Sequence, residues 1–84
     1  MPQTTFTESY RRLLDMLVEL RRRSGMTQMD LAKRLKKQQS FVSNMERGVR
    51  RLDVIEYCVI ARVLDGNPIS MISEILDDLP KSLN

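Results

Sequence analysis

The side chains best placed to do chemistry are four small polar ones, Gln39, Ser40, Ser43 and Asn44. Spacings of one, three and four put them on one side of a helix. A carboxamide donates and accepts at once, which matches the paired acceptor and donor of an adenine edge in the major groove, and a serine hydroxyl suits either partner. A bidentate contact of this kind discriminates between bases by about 1–3 kcal/mol. Four polar residues also make an ordinary solvated face, so their surroundings carry the argument. Lys37 precedes the ridge and Arg50 and Arg51 follow it, where each can hold a backbone phosphate. Gln28 falls in the first turn of the preceding segment, where free backbone N–H groups attract the same anion. Phe41 has two readings: packing on the flank of the core, or contact with a thymine methyl group.

Charge and composition narrow the field. The 84 residues carry a net charge of +3, but unevenly. Residues 1–51 hold 12 of the 14 basic side chains and 5 of the 11 acidic ones, a net of +7, against −4 for residues 52–84. A polyanion is the natural partner of the basic half. The length fits one domain with one modest core. Cys58 is the lone cysteine, so it can form neither an internal disulfide nor a zinc cluster. It reads as a small core hydrophobe in a reducing, cytoplasmic and nucleoid-associated setting. Neither a signal peptide nor an 18-residue apolar run is present, so no membrane association is expected. Histidine is absent and no glycine-rich phosphate loop occurs, so catalysis, a cofactor and a metal are all unexpected. Four aromatic residues are too few for RNA-stacking platforms.

The elements that must position the ridge follow from periodicity and punctuation. After a flexible arm (residues 1–7), whose Thr7 can cap, a first helix spans Glu8 to about Ser24 and stops at Gly25. Thr27 caps a second helix, with Asp30 in place of the usual capping-box glutamate. Leu31, Ala32 and Leu35 form its buried side, and the small Ala32 allows a close crossing. A third, short helix runs from Gln38 or Gln39 to Arg47 and stops at Gly48. Leu31, Leu35, Val42 and Met45 wedge the two together as a helix-turn-helix. Asp53, with Glu56 three residues on, boxes a fourth helix over Val54–Leu64, with Ile55, Cys58, Val59, Ala61, Val63 and Leu64 as candidate core. Gly66 and Asn67 stop it. Pro68 opens a fifth helix that reaches Leu79, ahead of Pro80 and a tail (residues 80–84). Arg21 and Glu46, each near a glycine stop, are candidates for an ion pair between the first and third helices.

The stretches Arg23-Ser24-Gly25-Met26-Thr27-Gln28-Met29-Asp30-Leu31-Ala32 and Gln39-Ser40-Phe41-Val42-Ser43-Asn44-Met45-Glu46-Arg47-Gly48 resemble the Cro/cI-type (XRE-like) helix-turn-helix family of phage and bacterial repressors. The resemblance covers about Leu17 to Leu64. It implies an all-α, compact bundle of four or five helices of the lambda-repressor-like DNA-binding type. It also implies a palindromic operator in double-stranded DNA, bound by a homodimer. The positions of Gln39, Ser40 and Asn44 reach base edges in that family, and that of Ser43 often lies near the backbone. Those of Gln28 and Arg21 lie near phosphate, and those of Arg21 and Glu46 pair. One position departs from the pattern: Lys36 stands in the turn where the family often carries glycine.

The domain then comprises residues 8–79, with the helix over residues 68–79 as dimerisation element through Met71, Ile75 and Leu79. A second class of function keeps the fold but binds a protein instead of DNA, as a co-regulator's partner or the antitoxin of a toxin would.

Overall fold

The computed structural model describes residues 7–83 and is all-helical. Five α-helices follow one another: α1 (Glu8–Arg23), α2 (Gln28–Leu35), α3 (Gln39–Glu46), α4 (Val54–Val63) and α5 (Pro68–Ile75), with a final 3-10 turn over Leu76–Asp78. Apart from Thr7, the arm expected over residues 1–7 lies outside the described residues. Thr7 itself caps α1, its hydroxyl accepting from the Tyr10 amide. No helix among the described residues is long and apolar enough to cross a membrane.

Each start is set by a local signal. Thr27 and Asp53 both close full capping boxes, with Asp30 and Glu56 reaching back to the cap amides. Pro68 opens α5 while the Asn67 side chain accepts from the Ile69 and Ser70 amides. The stops of α1 and α3 are left-handed glycines, Gly25 and Gly48.

Two stops carry a left-handed residue other than glycine. Lys36 itself takes the left-handed conformation (φ 59, ψ 42), which a glycine would adopt without strain. At the end of α4 the left-handed residue is Asp65, not Gly66. Gly66 is close-packed instead: a Cβ there would come within 2.5 Å of Leu20 Cδ1.

The core gathers the inner face of α1 (Leu13, Leu14, Leu17) against Leu31 and Ala32 of α2 and Val42 and Met45 of α3. Helices α4 and α5 close it with Tyr57, Ile60, Ala61, Met71 and Ile75. Three expectations are corrected here. Ile55 and Val59 are 70% and 48% exposed, and the inward residues of α4 are Tyr57, Ile60 and the expected Ala61. A helix apolar on nearly every side gives periodicity nothing to choose between. Met71 and Ile75, expected at a dimer interface, are 8% and 5% exposed and belong to the core of their own chain. The expected helix over residues 68–79 is α-helical only to Ile75, and Leu79 is extended (φ −66, ψ 144), as a residue before proline is driven to be.

Candidate nucleic-acid interface

Helices α2 and α3 pack together through Leu31, Ala32, Val42 and Met45, which exclude solvent almost completely. Their connection is three residues long. Lys36 and Lys37 donate to the carbonyls of Lys33 and Ala32 at 3.1 and 2.9 Å, ending α2 before Gln38 starts α3. The opposite side of α3 then has nowhere to go but outward. Gln39 and Ser40 are exposed, and Ser43 and Asn44 are half-buried.

A hydrogen-bond chain runs from α1 to the first residue of α3. Arg21 donates through Nε and Nη2 to both carboxylate oxygens of Glu46, at 2.6 and 3.1 Å. Its Nη1 donates to the Met26 carbonyl at 2.8 Å, which ties down the turn after α1. Gln28 Nε2 donates to Glu46 Oε1 at 2.9 Å, and Gln39 Nε2 donates to Gln28 Oε1 at 2.8 Å. The Arg21 and Glu46 side chains are only 10% and 9% exposed. Arg21 therefore orients the interface from within. Its donors are aimed at Glu46 and Met26, and it is largely covered.

The flanking cations are held too. Arg50 makes a bidentate pair with Glu56 at 2.9 and 2.8 Å and lies 4.7 Å from the centre of the Phe41 ring. Glu56 raises the Arg50 pKa above its ordinary value through that hydrogen bond. Lys37 Nζ approaches the same ring at 5.4 Å, so Phe41 is packed on the core flank with two cations near its ring. Arg51 stacks on Tyr10 at 4.5 Å, and the Tyr10 hydroxyl accepts from the Leu52 amide at 3.0 Å. The loop after α3 is thus fastened to α1. Of these cations, Lys37 and Arg51 are exposed and Arg50 is half-buried.

Two residues of this surface escaped the sequence reading. Arg47 is exposed beside the ridge, its Nη2 donating to Asn44 Oδ1 at 2.8 Å. Its i+3 spacing from Asn44 was the available signal. Tyr10 was legible only as a periodic apolar position, because the loop it holds is 42 residues away. Among the described residues no group of His, Cys, Asp and Glu side chains could hold a metal ion.

Comparison with known proteins agrees with this geometry. Residues 17–76 match the helix-turn-helix family. Among solved structures, the XRE-family like protein from Pseudomonas syringae pv. tomato str. DC3000 is 43% identical. That match covers 86% of this chain and 88% of that one, with a TM-score of 0.78. No curated protein matches the chain. With a paired α2–α3 unit, an outward polar ridge and a relative of this identity along most of its length, the chain belongs to the XRE-like, Cro/cI-type helix-turn-helix family of DNA-binding regulators.

Proposed function

We propose that the protein is a transcriptional repressor that binds a palindromic operator as a homodimer, with α3 in the major groove of double-stranded DNA. Gln39, Ser40, Ser43 and Asn44 take the base edges, while Gln28, Lys37, Arg50 and Arg51 hold the flanking phosphates. The observation that carries the reading is the Arg21–Glu46–Gln28–Gln39 chain, which spends a nearly buried ion pair on orienting an exposed glutamine. An idle solvated face needs no such support.

Pairing of two copies is supported by what α4 and α5 leave uncovered. Val54, Ile69, Leu76 and Leu79 are all about half exposed or more, and Val54, Cys58, Ile69, Ile72 and Leu76 line one apolar groove. On this reading the interface comprises Leu79 with Ile69, Ile72 and Leu76, and Met71 and Ile75 stay in the core.

The test is binding of the full chain to labelled genomic fragments, followed by footprinting of those retained. A protected two-fold site upstream of a promoter is expected, together with loss of protection in Gln39→Ala/Asn44→Ala. Uniform weak binding that ignores both substitutions would instead favour a protein-binding role.

A further inference from the structure

Asn44 and Arg47 stand one helical turn apart at the C-terminal end of the ridge, with Arg47 Nη2 donating to Asn44 Oδ1 at 2.8 Å. A guanidinium has donors only. The Asn44 amide therefore turns its carbonyl toward Arg47 and its NH2 group away. An unconstrained asparagine could offer an acceptor and a donor together, as adenine requires. This one offers N–H groups, and the Arg47 donors not used on Asn44 extend the same donor edge.

The other end of the ridge is polarised differently. An ionised Glu46 only accepts, so Gln28 must face it with its NH2 group, which leaves Gln28 Oε1 to receive Gln39 Nε2. Gln39 keeps its carbonyl oxygen and one N–H for an outside partner. The two carboxamides of the ridge are thus unlike, although the sequence makes them look equivalent.

Guanine is the base whose major-groove edge consists of two acceptors, N7 and O6. Adenine replaces the second with an amino donor, which would meet N–H with N–H, and cytosine offers a donor alone. We propose that Arg47 is a specificity-determining residue: by holding the Asn44 carbonyl it presets a donor-only edge, and the Asn44–Arg47 pair reads a guanine in each half-site. The inference rests on the DNA-binding reading above and deepens it.

Selection from random duplexes with the full chain, followed by competition among single-base variants of the enriched site, reads this directly. The wild-type protein is expected to prefer guanine over adenine about tenfold at one position per half-site. Arg47→Met frees the Asn44 amide, so that preference collapses at that position while the others persist. Asn44→Asp keeps the Arg47 contact but faces an acceptor outward, and is expected to lose the same guanine with Arg47 still in place. Circular dichroism verifies that both variants keep their helices.

If Arg47→Met weakens all sequences equally and leaves every base preference as it was, Arg47 serves a phosphate and the inference is overturned while sequence-specific binding stands. A wild-type motif with no guanine sensitive to Asn44→Asp overturns it as well. If the wild-type protein enriches no motif, the DNA-binding reading fails and the inference with it.

Discussion

Glu46 is the residue on which the interface turns. Its carboxylate accepts from Arg21 twice and from Gln28 once, in surroundings that leave the pair about nine-tenths covered. Attraction between charges so placed largely offsets their desolvation, so the pair does more for geometry than for stability. Removing one partner is another matter. Glu46→Ala strands a covered guanidinium, and urea unfolding is expected to show a loss of about 3 kcal/mol. Operator affinity is expected to fall beyond what the lost stability explains, because Gln28 and Gln39 lose their anchor. The double variant Arg21→Met/Glu46→Leu removes both charges and is expected to regain most of the stability without regaining the affinity. Wild-type operator binding by that double variant would show that the chain positions nothing.

The first four helices end alike. In α1, α3 and α4 the residue after the cap is left-handed, in α2 the cap itself is, and in all four two amides return to carbonyls of the last turn: Met26 to Arg21, Lys37 to Ala32, Val49 to Asn44 and Gly66 to Ala61 make the bond that spans more residues. Gly25 and Gly48 take that conformation freely, whereas Lys36 and Asp65 carry a Cβ into it at about 1–2 kcal/mol each. Lys36→Gly relieves that strain but adds freedom to the unfolded chain, a cost of about 0.4–1 kcal/mol. The balance predicts a rise in Tm of about 4 °C by calorimetry, with no rise for Lys36→Ala. The helix starts respond to acid. Backbone and side-chain hydrogen bonds from Thr27 lower the Asp30 pKa. The hydrogen bond from Arg50, then the Asp53 amide, lowers that of Glu56. A carboxylate with a depressed folded pKa contributes stability above its unfolded pKa and loses it as pH falls through the folded one. Urea midpoints are therefore expected to drop as pH falls below about 4, and to drop less steeply in Asp30→Asn/Glu56→Gln, which starts lower at neutral pH.

The protein measures 36 × 27 × 20 Å, about the length of a single turn of duplex. Recognition helices on two successive major grooves lie ~34 Å apart, so on the proposed reading one copy serves one half-site. The charge divides to suit this: the basic residues lie mostly before Leu52, and the exposed acids Asp77 and Asp78 lie beyond α5, where Arg12 pairs with Asp78 and holds the Glu74 carbonyl. Leu76→Glu places a charge in the uncovered apolar face without touching the core. Sedimentation is expected to shift from dimer to monomer, and the dependence of operator affinity on salt to fall by about half as one set of phosphate contacts is lost. A variant that still sediments with the wild type would place the interface elsewhere.

Much of this arrangement is written in local chemistry. Helix starts and the outward ridge are legible because caps, glycine stops and a 3.6-residue period act over a few neighbours, whereas the Arg21–Glu46 pair, 25 residues apart, is a candidate only through the glycine stops beside it and the family resemblance. The inward face of α4 was not legible, because apolar residues surround it and the choice of Tyr57 and Ile60 over Ile55 and Val59 belongs to the helices it meets. Nor was the burial of Met71, which depends on how α5 lies against α1 and α4. Side-chain polarity is the last thing the fold decides. Gln39 and Asn44 are interchangeable in a string of letters, but one is turned by a carboxamide from α2 and the other by a guanidinium one turn further along α3. Hydrogen bonds are directional, and direction exists only once the partners have been brought together in space.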